Sequence, residues 1–157
     1  MKIIYISVLF FLTISCCSTK QNESSIKKNE ITENQLKERI QFQIIYSSSY
    51  GGYDEFTHLI VENSTDLNRE IDKLNILNEI SNINEVDFKT NAILFLHLGQ
   101  KNTGGYKIEI EKIEKLNDEL VIYSNTITPS KGENVTMALT NPYCVAIIPK
   151  AKIYSIK

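Results

Sequence analysis

The chain has 157 residues, with 17 Lys and Arg against 19 Asp and Glu, and a formal net charge of −2. That length fits one domain plus a targeting segment or tail, and the near-neutral balance excludes a basic nucleic-acid binder. With two His and three Cys, and no CxxC pair among Cys16, Cys17 and Cys144, a His-rich metal centre or a disulfide framework is not expected, and neither is a cofactor.

The chain opens on Met1-Lys2 and an almost wholly apolar run over residues 3–14. A spanning helix needs ~20 apolar residues. A basic start, a short apolar run and then small residues follow the plan of a secretory signal peptide. The run closes on Ser15-Cys16-Cys17-Ser18. This resembles the bacterial lipoprotein signal, in which a small residue precedes a Cys that becomes the lipidated N-terminus. Cys16 is the expected lipidation site, with Cys17 the alternative; a plain signal peptide with both Cys as bystanders is the competing reading. Residues 1–15 are then the signal peptide. The mature protein is expected to leave the cytoplasm and sit on a membrane of the cell envelope, the outer membrane in the first instance, held by its N-terminal lipid.

Residues 16–40 are polar and charged with isolated apolar positions, so they cannot bury enough surface to fold alone and read as a tether. A short helix over 33–40 is one alternative. The domain is expected over 41–157. Residues 42–47 (FQIIYS) and 56–62 (FTHLIVE) read as strands separated by a flexible turn containing Gly51-Gly52. Residues 63–66 carry helix-starting chemistry, a Ser or Thr cap and Asp66 near the positive helix end. Leu67, Ile71, Leu74, Leu77 and Ile80 then recur on one helical face, predicting a helix that ends over 81–84.

Residues 92–98 (AILFLHL) form a nearly continuous apolar run of strand length, expected at the centre of a sheet and buried on both faces. Residues 105–113 alternate, with Tyr106, Ile108 and Ile110 on one face and Lys107, Glu109 and Glu111 on the other. Asn117-Asp118 turns the chain into a partner strand over 120–126. Residues 128–134, holding Pro129 and Gly132, read as a loop, and 143–148 as a last strand closed by Pro149. The order of elements predicts an α+β fold: a largely antiparallel sheet with one main helix packed on one face. Leu67, Ile71, Leu74 and Leu77 are expected against the face carrying Phe95, Ile108, Ile122 and Val145.

Catalytic chemistry is hard to assemble from these residues. His58 follows Asp54 and Glu55, but on a strand it shares a face with Phe56 and Ile60, as a surface or edge residue does. His97 sits inside an apolar strand and reads as a hydrogen-bonded core or rim residue. Cys144 lies mid-strand with no charge beside it, so a buried inert thiol is expected. Ser47-Ser48-Ser49 lacks the strand-to-helix elbow of a nucleophile, and Gly104-Gly105 leads into a strand, not into a phosphate-binding helix. No enzyme is expected. The turn Thr103-Gly104-Gly105-Tyr106 stands out instead. Its glycines either solve a tight connection or let another backbone come close.

A strand ending in Leu98-Gly99, then Thr103-Gly104-Gly105-Tyr106, the Ile108/Ile110/Ile113 strand, a hairpin, Pro129, and Thr140-Asn141-Pro142-Tyr143 before an apolar strand ending Ile148-Pro149-Lys150 together resemble the PrcB family. That family is named for a lipoprotein subunit of a bacterial surface protease complex. The resemblance is best over residues 92–150 and extends more loosely back to Phe42. It implies a non-catalytic envelope lipoprotein that binds proteins and serves as an accessory or stabilising subunit of a protease. The protein-binding residues are then expected at Thr103, Gly104, Gly105, Tyr106, Asn141, Pro142 and Tyr143. A second likeness, of Thr103-Gly104-Gly105-Tyr106 to the Thr-Gly-Tyr loop of chagasin-type inhibitors of cysteine proteases, implies the alternative of an inhibitor that plugs a protease cleft.

Overall fold

An eight-residue strand without a charge, NAILFLHL, must be covered on both faces. The computed structural model, which describes residues 38–80 and 83–157, builds two sheets around it. The expected signal peptide, the lipidation site at Cys16 or Cys17, and the tether up to residue 37 lie outside the described residues. In chain order the strands are β1 (Glu38–Ile40), β2 (Gln43–Ser48), β3 (Phe56–Val61), β4 (Asn91–Leu98), β5 (Lys107–Leu116), β6 (Glu119–Ile127), β7 (Tyr143–Pro149) and β8 (Ile153–Ile156). The helix α1 (Ser64–Leu74) and a single 3-10 turn (Ile83–Glu85) lie between β3 and β4.

One sheet has the order β2-β7-β4-β3 and the other β1-β5-β6-β8. Every pair is antiparallel except β6–β8, which is parallel. The strand content is as expected, but it forms two four-stranded sheets where one was predicted. The period of two along β4 explains why. Ala92, Leu94, Leu96 and Leu98 share a buried cluster with Ile108, Ile110, Ile113, Leu120 and Ile122 of the β5–β6 hairpin and with Cys144, Ala146 and Ile148 of β7. Ile93 and Phe95 point the other way, into a cluster with Val61, Leu67, Ile71, Leu74, Ile76, Ile80, Ile83, Tyr143 and Val145. Each large side chain removed from water in this way stabilises the fold by roughly 1.5–3 kcal/mol. Ile108 and Ile122 therefore do not lie with the helix residues: they belong to the sheet-to-sheet cluster.

Helix α1 starts as its sequence demands. Asn63, rather than Ser64 or Thr65, is the cap: its side chain accepts from the Asp66 backbone N–H at 2.9 Å. The helix ends at Leu74, earlier than the apolar period predicts. Asn75 takes the left-handed conformation (φ 53°, ψ 45°) and its N–H bonds back to the carbonyls of Ile71 and Asp72, which closes the last turn. Beyond this cap Ile76 and Ile80 still reach the core through turns, while Leu77 is 55% exposed, against expectation.

The hairpin turns at Asn117 (φ 56°), as read from the sequence. A register shift between Ile110 and Lys112 keeps Ile113 on the buried face with Ile108 and Ile110. Two strands were not foreseen. Glu38–Ile40 pairs with β5, so these residues end no helix, and Ile153–Ile156 pairs with β6. Both are too short to declare themselves by pattern and exist through their neighbours. Glu38 pairs with Lys115, close to the Asn117 turn, so the described chain begins at the end of the molecule opposite Gly99 and Tyr106.

Candidate functional site

Three loops converge beyond Leu98. The first is 49–55, the second 99–106 and the third 128–142. They are tied to one another chiefly through backbone groups. Lys101 and Thr140 form an isolated antiparallel bridge, N–H to carbonyl at 2.8 and 2.9 Å in the two directions. The Gly104 N–H donates to the Thr136 carbonyl at 2.9 Å. The fully buried Thr140 hydroxyl donates to the Thr103 carbonyl at 2.8 Å. On the other side, Gly52 donates to the Asn141 carbonyl and Asn141 donates to the Ser49 carbonyl, each at 3.0 Å. The Asn141 side chain donates to an Asp54 carboxylate oxygen at 2.8 Å, and the Gln100 N–H donates to the Asp54 carbonyl at 2.8 Å.

Both readings of the Gly104-Gly105 turn have a physical counterpart here. Gly105 has φ +86°, and a Cβ on it would stand 2.9 Å from Pro129 Cβ and 2.9 Å from Val135 Cγ1. A Cβ on Gly104 would stand 2.4 Å from Thr136 Oγ1. The pair is where the third loop lies down on the second. The glycines thus act structurally, by close approach, and what they hold in place is the exposed part of the third loop.

The residues singled out in the sequence divide accordingly. Thr103 and Asn141 are half-buried, and Gly105 is exposed. Gly104, Pro142 and Tyr143 are buried and offer no surface; the Pro142 carbonyl accepts from the Leu98 N–H at 2.8 Å. Tyr106 is partly buried against the inter-sheet cluster, on the face shared with Ile108 and Ile110. The exposed apolar side chains of this end are others. Met137 is 88% exposed, Leu139 58%, Phe56 57% and Tyr50 54%. The sequence signal for the first two was present: Met137-Ala138-Leu139 is an apolar triplet inside a loop, where burial by a strand or helix is not available.

Beneath the first loop lies an aromatic stack. Tyr53 and His97 rings lie face to face, centroids 4.2 Å apart and 6° from parallel. Tyr143 lies beyond His97 at 5.3 Å, and Tyr46 beyond Tyr143 at 5.8 Å. The Tyr53 N–H donates to His97 Nδ1 at 3.2 Å. The Tyr53 hydroxyl donates to the buried Glu70 carboxylate, and Lys73 Nζ sits 4.1 Å over the Tyr53 ring. Burial, with the Lys73 charge as a lesser cause, pulls the His97 pKa down to about 4. Burial and the Glu70 hydrogen bond raise that of Tyr53. A neutral, sealed imidazole is an acceptor for one backbone N–H and is out of reach of a substrate. His58 is exposed on β3. Cys144 is buried in the inter-sheet core, where burial pushes its thiol up to about 12 and keeps it un-ionised.

Two clefts, of about 580 and 450 Å³, open elsewhere on the surface, and neither is lined by a residue of the three loops. Among the described residues no three His, Cys, Asp or Glu side chains gather as metal ligands, and no helix is long and apolar enough to cross a membrane.

Residues 92–149 match the family model described as PrcB C-terminal. The match runs from β4 to the end of β7 and takes in the second and third loops. It supports the PrcB-family resemblance read from the sequence. No curated protein and no solved structure matches the chain.

Proposed function

We propose that the protein is a non-catalytic, lipid-anchored envelope protein that binds another protein through the three-loop end, as an accessory subunit of a protease complex. The observation that carries this is the display of Met137 and Leu139. They stand out from a loop whose backbone is fixed at Lys101–Thr140 and Gly104–Thr136, so little order remains to be imposed when a partner arrives. Exposed large apolar groups on a fixed scaffold are the usual mark of a protein contact. Helix α1 is read as the cover of the sheet face that carries Phe95 and Val145, on the strength of their shared buried cluster with Leu67, Ile71 and Leu74. The loop end carries four of the seven large apolar side chains that stand exposed among the described residues, Tyr50, Phe56, Met137 and Leu139. Glu38 begins β1 at the end opposite the loops.

The test is capture of a protease from envelope extract by the tagged full-length protein. Met137→Asp combined with Leu139→Asp is expected to abolish that capture while moving the melting temperature by no more than a few degrees, as a surface change should. Unaltered capture sinks the reading. If the captured enzyme is papain-like and loses activity in proportion to added protein, the chagasin-type inhibitor replaces the accessory subunit. The anchor has its own check. Growth with an alkyne palmitate should label the wild type, and the double change Cys16→Ser, Cys17→Ser should remove the label; persistent labelling refutes lipidation at either Cys.

A further inference from the structure

Two four-stranded sheets have four outer strands, and three of them are blunted. β1 has 3 residues and β8 has 4, while β2 carries a register shift between Ile44 and Tyr46. β3 differs. It pairs with β4 through 6 consecutive residues, Phe56 with Leu98 to Val61 with Ile93, without a break. It contains no Pro, no Lys and no bulge, the devices that close an edge to a further strand. Among the described residues no backbone hydrogen bond joins its free side to another segment. Phe56, at the start of the strand beside the loop end, is more than half exposed, and His58 is exposed too.

The charges around β3 define what fits. Asp54 and Glu55 precede it and Glu62 follows it, with no Lys or Arg between residues 54 and 63. Asp54 is turned toward Asn141 and Gln100, and Glu62 is shared with Lys150 at 3.5 Å and the Tyr154 hydroxyl at 3.0 Å. Glu55 is exposed. A second copy paired antiparallel along this edge would bring acidic ends together, which disfavours self-association. We propose that the free edge of β3 accepts an extended segment of another protein as an added strand, uncharged over its middle and basic at its ends. Backbone hydrogen bonds would hold the strand and the flanking acids would select it. This rests on the protein-binding reading above and gives the partner a second contact, next to the loops.

The probe is a fluorescent capped peptide with alternating Thr and Val between two Lys-Arg pairs, titrated into the full-length protein in detergent. Saturable binding is expected, with slowed backbone hydrogen exchange at residues 56–61. A version with Glu-Glu at both ends should bind about tenfold more weakly, and Glu55→Lys should weaken the basic peptide about fivefold. The variant with Met137→Asp and Leu139→Asp should bind the basic peptide like the wild type, because its folded β3 is untouched. Slowed exchange at 43–48 or 128–142 instead of 56–61, equal binding of the two peptides, or no binding overturns the proposal. Loss of peptide binding in the Met137/Leu139 variant does so as well. If the wild type binds the basic peptide but captures no protease, the edge stands and the accessory-subunit reading alone is removed.

Discussion

Lowering the pH from 7 to 4 is expected to cost the domain about 3 kcal/mol of stability through His97 alone. The imidazole is fully buried in the aromatic stack, and its Nδ1 is already occupied as the acceptor of the Tyr53 N–H. The remaining proton of the neutral ring is therefore on Nε2, which has no hydrogen-bond partner among the described residues. A second proton would have to enter at Nδ1, break the Tyr53 bond and place a charge in the core near Lys73. The folded pKa is thus about 4 against an ordinary value of 6.5. Between these two values the unfolded chain takes up a proton that the folded chain refuses, so stability falls as pH falls through this window. Above pH 6.5 the effect is absent. Urea titrations across the window should show the slope, and His97→Gln should flatten it, although that variant starts from a lower stability. An unchanged slope in His97→Gln would assign the acid sensitivity to carboxylates instead.

A comparably large loss is expected from Gly52→Ala. A Cβ there would stand 2.4 Å from the Asn141 carbonyl oxygen, 3.1 Å from the Tyr143 ring and 3.2 Å from His97 Nδ1. The nearest atom is backbone, already committed to the Gly52 N–H at 3.0 Å, so no side chain can swing aside. Overpacking of this kind costs roughly 1–3 kcal/mol. It should also part the first loop from the third. Gly132→Ala is the control: its φ is +85° but nothing lies within 4 Å, so only the backbone preference of about 1 kcal/mol is lost. Thermal melts of the two variants decide the matter. Equal losses would mean that the contact between the loops yields easily and does not fix their geometry.

The elements legible in the sequence are those whose own pattern suffices. β4 is apolar throughout, and the β5–β6 hairpin alternates around a turn residue that tolerates positive φ. The division into two sheets was not legible: a run buried on both faces says that Ile93 and Leu94 point to opposite sides, but not that the β5–β6 hairpin covers one of them as a separate sheet. The helix end was hidden for the opposite reason. Leu77 and Ile80 continue the period past Leu74, and only the conformation of Asn75 stops it. At the site, the Gly104-Gly105 turn was visible as unusual composition, and the Asn141-Pro142-Tyr143 segment only through the family resemblance. Their meeting was not, nor was the part played by Gly52 and Asp54, since these contacts join residues far apart in the chain. Tyr143, expected to open the last strand and placed among the binding residues by the resemblance, does open β7, and its ring fills the stack next to His97.

The placement of β4 between β3 and β7 sets a timetable for folding. β3 is made before β4, but Ala146, which pairs with Leu94, follows it by about 50 residues. At an elongation rate of ~5–20 residues per second, the strand AILFLHL waits roughly 3 to 10 s for its second neighbour. Until then the edge of β4 that β7 will occupy is open to other chains. Sheets closed by such distant pairings also fold slowly, in the range of milliseconds to seconds. The nascent chain is thus most prone to aggregate after β4 has been made and before β7 has, and a chaperone that holds it over that interval has residues 92–98 as its natural point of attachment.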